Sequence, residues 1–359
     1  MQKNAYSNCY NGSSRSDRKK YHRAGKHLHF WEQTPHEPLS RAVSIEDDIS
    51  DKRILLEEAV KQYLKDGMSI AMGGFSNTRT PVAAIYEIIR QGARDLTLIF
   101  QSNSICSELF AGAMILNSNH LSVRRIELAW NDDKNSDTSP LLRHLINDDL
   151  VELKEYSNES MTARFKAGAM GVPFLPIQDH DNGDKESSIQ GEITVCPFTG
   201  KTLNLVPACN PDLALIHVQA ADMFGNSRLF GPHYICPEIA RASVNTIIST
   251  EQVIPTSNIQ NYPNLTVIPS PVVDAVVDQP FGATPGTCYG NYGIDMAEIK
   301  RFREICEEFL KKGNKEKLKL FYDQRIFNVA DFDDLLERKP YPVLQNLCLQ
   351  DGGQLVILD

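Results

Sequence analysis

The chain has 359 residues, 42% apolar and 23% charged, a globular balance with room for one large domain or a few small ones. Its formal charge is −9, but residues 1–50 carry eight Lys/Arg against six Asp/Glu, which leaves −11 beyond them and makes nucleic-acid binding a poor fit. No apolar run reaches the roughly 18–20 residues needed to cross a bilayer, and eight cysteines without a C-x-x-C pair read as reduced thiols of a cytoplasmic protein.

Residues 1–50 read as a polar extension, rich in Asn, Ser, Lys and Arg, with four histidines and no sustained period. From Ile54 the text alternates helix with strand. Leu55, Leu56, Ala59, Val60, Tyr63 and Leu64 keep a helical period that Gly67 is placed to end. Met68–Met72 reads as a buried strand, and Thr80-Pro81 as the N-cap and first residue of a helix closed by Gly92. Strands are expected at Leu96–Phe100, Val123–Ala129 and Val151–Tyr156, with helices opening at Ser139-Pro140 and running over Met161–Met170. A polar stretch over 178–210 reads as a hairpin excursion. Further strands are expected at Leu213–Gln219, Thr246–Ser249, Leu265–Pro269 and Val272–Val277, and helices at Pro237–Val244 and from Met296 to about Leu310. This pitch predicts an α/β fold with an open, mainly parallel sheet, helices on both faces and C-terminal helices. The domain plan is an extension over 1–50, an α/β domain over 51–330 and a C-terminal segment over 331–359.

Several familiar signatures are missing. There is no G-x-S-x-G elbow, no Walker A loop and no G-x-G-x-x-G after a strand. Asp179, Asp181, Gly183 and Asp184 have the wrong order for a calcium loop, and Gln190 stands where a Glu is required. His144 and His217 read as structural rather than as metal ligands.

Four segments collect polar or flexible residues at strand ends. Gly73-Gly74-Phe75, with Asn77, Arg79 and Pro81, lies between a strand and a helix, where two glycines can turn amides toward an oxyanion or simply form a tight turn. Gln101-Ser102-Asn103-Ser104 follows a buried strand, at the edge where open α/β sheets hold ligands. Lys166–Pro173 is rich in small residues, which favours close helix packing. His217–Asn226 runs from a strand into an Asp…Gly-Asn turn.

Taken in this order, these segments resemble the α subunit of the class I coenzyme A transferases, most closely the glutaconate CoA-transferase type. The resemblance rests on the Gly-Gly-Phe turn, the Arg-x-Pro helix start, the strand-end Ser-Asn and the run from Ala167 to Pro176. It continues with the His-x-Gln strand at His217–Gln219 and the run from Asp274 to Gly290, and it spans about 52–310. It implies the class I CoA-transferase fold and transfer of CoA from an acyl-CoA to a free carboxylate or dicarboxylate. It implies no bound cofactor or metal, the coenzyme A thioester being a substrate.

By the same resemblance, Gly73, Gly74 and Phe75 form an oxyanion and acyl-binding turn, and Arg79, Ser102, Asn103 and Gln219 face the substrate. The family's nucleophile is a glutamate in a strand-end Ser-Glu-Asn of the β subunit, whereas this chain reads Gln101-Ser102-Asn103. An amide cannot form the acyl anhydride, so a separate β subunit is implied, in an α2β2 hetero-oligomer without nucleic acid or membrane. Thr284 stands where relatives tend to carry His. Some relatives instead hydrolyse or decarboxylate CoA thioesters, including ring-opening reactions, and in that alternative Glu108 would activate water. A non-catalytic binding protein on the same scaffold is the third reading.

Overall fold

The computed structural model describes residues 50–102, 105–129, 139–178 and 192–350. Its first half alternates as expected: α1 (Leu56–Tyr63), β1 (Ser69–Met72), α2 (Val82–Gln91), β2 (Leu96–Phe100), α3 (Ile105–Asn117), β3 (Val123–Leu128), α4 (Pro140–Asn147), β4 (Glu152–Glu155) and α5 (Asn158–Met170). Strands β5 (Phe174–Gln178), β6 (Glu192–Val195) and β7 (Thr202–Pro207) then make a small antiparallel sheet in the order β5-β7-β6. The alternation resumes with β8 (Leu213–Val218), the two-residue strands β9 (Ala220–Ala221) and β10 (Ser227–Arg228), α6 (Cys236–Ala242), β11 (Asn245–Thr250), α7 (Thr256–Asn261) and β12 (Ala275–Asp278). Helices α8 (Met296–Lys312), α9 (Glu316–Tyr322), α10 (Phe332–Glu337) and α11 (Tyr341–Gln350) follow.

The main sheet has seven strands in the order β12-β11-β8-β1-β2-β3-β4, and every neighbouring pair is parallel. Its central strands are continuous apolar runs because both faces are covered. The period of two sends Ile70 and Met72 into one core and Ala71 into the other. The first core collects α1 to α4 and α8 to α10, through residues such as Ile85, Phe110, Phe302 and Tyr322. The second packs α5 and α6 on the opposite face through Phe165 and Ile239. The small-residue run of α5 serves packing: a Cβ at Gly168 would lie 2.2 Å from the carbonyl oxygen of Cys209. Phe332 of α10 joins the main core and meets the Tyr86 ring at 5.9 Å. Among the described residues, no helix is long and apolar enough to cross a membrane.

Two expected elements are corrected. Leu265–Pro269 is not a strand but lies between 3-10 turns at Pro263–Leu265 and Ser270–Val272, with Ile268 alone bridging to Ser227. Pro263, Pro269 and Pro271 remove the amide donors a ladder needs, which also delays β12 to Ala275. Thr80 does not cap α2. Its hydroxyl donates to the Ser76 carbonyl at 2.9 Å, and the helix starts after Pro81 with no side-chain cap.

Candidate active site

From β1 the chain winds outward through β2, β3 and β4, then returns to lay β8, β11 and β12 on the other side. The order therefore reverses between β1 and β8, and the crevice beyond the carboxyl ends at such a reversal is the usual ligand site of open α/β sheets. Five adjacent strands, β12, β11, β8, β1 and β2, end there on Gln279, Glu251, Gln219, Gly73 and Gln101 respectively.

The turn after β1 is shaped by Gly74, whose φ is +87° and whose absent Cβ would fall 2.4 Å from the Thr78 carbonyl oxygen. All three amides of Gly73–Phe75 are consumed within the chain. Gly73 donates to Leu215 O at 2.8 Å, Gly74 to Cys236 Sγ at 3.2 Å and Phe75 to Thr78 O at 3.0 Å. Thr78 donates back to Phe75 O at 2.9 Å, so Ser76 and Asn77 form the tip of a two-residue hairpin. Within the described residues, the tip amides of Ser76 and Asn77 are left without a partner. The Phe75 ring stacks on Tyr234 at 4.9 Å.

Arg79 and Gln219 are buried beside the turn and bonded to main-chain groups of the 230–235 loop. Arg79 is 0% exposed, its Nη1 donates to Phe230 O at 3.0 Å, its Nη2 donates to Pro232 O, and its guanidinium lies 5.6 Å from the Tyr234 ring centre. Both terminal nitrogens of its fork are thus engaged by main-chain carbonyls. Gln219 is equally buried: Nε2 donates to Phe230 O and Tyr289 O at 3.0 and 3.1 Å, and Oε1 accepts from Phe230 N at 3.1 Å. Both residues therefore brace the 230–235 loop beside the turn.

Ser102 is buried at the end of β2 beside Gln101, whose Oε1 accepts from Ile235 N at 3.3 Å. Asn103 lies outside the described residues. Glu108 lies buried in the first turn of α3, just beyond the β2 end. Its carboxylate accepts from the amides of Leu141 and Leu142 at 2.7 and 3.2 Å, holding the start of α4. Burial pushes its carboxyl up to about 7, against the pull of those two amides and the Cys306 thiol.

Glu251, Tyr292 and Cys236 escaped the sequence reading. Glu251 follows β11 directly and takes donors from elements up to 41 residues away, so its partners leave no local pattern. Its Oε1 lies 2.5 Å from His217 Nε2 and 2.6 Å from the Tyr292 hydroxyl, and its Oε2 accepts from Phe281 N at 2.8 Å. His217 is buried on β8, with Nδ1 at 2.9 Å from Ser249 Oγ. Burial raises the Cys236 thiol, which stays a neutral acceptor for Gly74.

Residues 53–279 match the family described as Coenzyme A transferase, and the chain belongs to that family. It is 28% identical to one of the subunits of glutaconate CoA-transferase from Acidaminococcus fermentans, over 84% of this chain and 96% of that protein. The crystal structure of that transferase superposes with a TM-score of 0.70, covering 82% of this chain and 95% of its own. An uncharacterized protein of Archaeoglobus fulgidus is 34% identical over 81% of this chain, which spans 62% of that longer relative. The decarboxylase AibA/AibB superposes at a TM-score of 0.63 with 29% identity, covering 75% of this chain and 97% of its own.

Proposed function

We propose that this chain is the α subunit of a CoA-transferase whose nucleophilic glutamate comes from a separate β subunit. The observation that carries this reading is the state of the carboxylates around the site. Glu251 and Glu108 both have their oxygens occupied by hydrogen-bond donors, and the β2 strand end reads Gln101-Ser102-Asn103, without a carboxylate. The glutaconate and 3-oxoadipate CoA-transferase relatives, each named as one subunit of its enzyme, support the same division of labour. In the proposed cycle the β glutamate attacks the thioester carbonyl, and CoA leaves as thiolate to give an acyl anhydride. The thiolate then attacks the glutamyl carbonyl, releasing the first carboxylate and leaving a glutamyl-CoA thioester for the acceptor carboxylate to reverse. The α chain contributes the hairpin tip, where the Ser76 and Asn77 amides offer donors for the developing oxyanion, worth a few kcal/mol when pre-aligned.

An α2β2 assembly and a cytoplasmic location belong to this proposal, and dicarboxylic acyl-CoAs are the substrates to screen first. The test is co-expression with the protein encoded beside the gene, native mass spectrometry of the product and an assay of CoA exchange. The expected result is a hetero-oligomer that exchanges CoA, with the glutamyl-CoA adduct trapped on the second chain. Exchange by this chain alone would overturn the proposal. Release of free CoA without an acceptor would favour the hydrolase or decarboxylase reading, which similarity to AibA/AibB supports and the placement of Glu108 does not.

A further inference from the structure

His217, Glu251 and Cys288 bring ligand-type atoms within 4.8 Å of one another, yet their geometry is that of a hydrogen-bond hub. Two ligand atoms on a tetrahedral ion with bonds of about 2.0–2.1 Å sit roughly 3.3 Å apart. His217 Nε2 and Glu251 Oε1 are 2.5 Å apart, in direct hydrogen-bond contact and closer than two ligands of one tetrahedral ion sit.

His217 bonds to Ser249, and the Glu251 carboxylate's bonds beyond His217 lead to one loop. Glu251 Oε2 takes the Phe281 amide, and Tyr292, anchored on Glu251 Oε1, accepts from the Ala283 amide at 3.0 Å through its hydroxyl oxygen. The Phe281 ring stacks on Tyr292 at 4.8 Å, and Thr287 Oγ1 donates to Tyr292 O at 2.8 Å. The far side of this loop grips the hairpin after β1. Thr287 N donates to Asn77 O, and Arg79 N donates to Thr287 O, each at 2.8 Å. The Asn77 carbonyl and the Arg79 amide are therefore fixed from outside their own hairpin, at the tip that carries the two open amides.

We propose that Glu251 is a positioning residue for the proposed acyl transfer: through Tyr292 and the 281–292 loop it sets the Ser76–Asn77 tip against the reacting carbonyl. This rests on the α-subunit reading for its catalytic consequence, while the mechanical link from Glu251 to the tip stands apart from it. A buried carboxylate with three donors on two oxygens is stiff, because moving it strands several polar groups at once.

The experiment compares wild type, Glu251→Gln and Tyr292→Phe, each in complex with the β partner. Tyr292→Phe keeps the ring stack and removes only the hydroxyl, so it guards against a Glu251 variant that fails to fold. Amide hydrogen exchange is expected to rise at least tenfold over residues 73–80 and 281–292 in both variants, with 96–100 and 213–218 unchanged. In steady-state exchange of CoA, kcat is expected to fall 10- to 100-fold while KM for the acyl-CoA stays within threefold. Unchanged hydrogen exchange at the tip overturns the link, and faster exchange spread across the whole sheet reduces Glu251 to a stability role and overturns it as well. A faster-exchanging tip with unaltered kcat overturns the positioning role. If the wild-type complex exchanges no CoA, the functional reading fails, and the hydrogen-exchange arm still decides the link.

Discussion

The Arg79 guanidinium serves two main-chain carbonyls of the loop above it. Lysine offers a point charge on a flexible stem and cannot span both acceptors. Arg79→Lys is therefore expected to lower the unfolding free energy by about 1–3 kcal/mol, read by denaturant titration. KM for the acceptor carboxylate is expected to stay within about threefold. A large rise in KM with unaltered stability would restore the role of substrate fork. Glu108 yields a pH prediction. Its carboxyl is raised from 4.5 to about 7 by burial, so the folded state prefers the protonated form. That stabilisation is complete below about pH 4.5 and is lost as pH rises through about 7, in total about 3 kcal/mol. Glu108→Gln is expected to flatten the stability curve across this window, and an unchanged slope would remove Glu108 as its cause.

At the scale of elements, periodicity was a sound guide wherever packing agreed with it. Leu96–Phe100 is a strand residue for residue, since a run buried on both faces has one way to sit in a parallel sheet. Leu265–Pro269 has comparable apolar content, but three nearby prolines leave it without a ladder. Helix α5 shows packing overriding propensity. Alanine at Gly168 would gain about 1 kcal/mol of helix preference in isolation. Here its Cβ would fall 2.2 Å from Cys209 O and 2.9 Å from Ala242 Cβ. Gly168→Ala is expected to destabilise the protein by about 1–3 kcal/mol on thermal unfolding, the opposite sign to that of an exposed helix.

At the scale of the molecule, the segment before α1 ties onto the far end of the sheet. Ile54 N donates to Val276 O, Val276 N to Lys52 O, Lys52 N to Met223 O, and Lys52 Nζ reaches Ser270 O. Two truncations test this strap, one starting at residue 50 and one at residue 55. The shorter loses these four bonds and is expected to be about 2–5 kcal/mol less stable than the longer. Equal stability of the two would show that the strap contributes nothing. Sequence by itself determined the alternation of strand and helix, the polar turns that follow β1 and β2, and the motif order that marks the family, because each is written in local spacing. Tertiary structure alone decided the use of each side chain. Arg79, Gln219 and Glu108 have the residue types of a binding site, yet folding gives each of them main-chain partners. The open amides fall at Ser76 and Asn77, and the support for them gathers at Glu251, whose donors come from β8 and from the 281–292 loop, both distant in the chain. Burial forces every polar group to find a partner in space, and which partner it meets depends on how distant strands and loops converge.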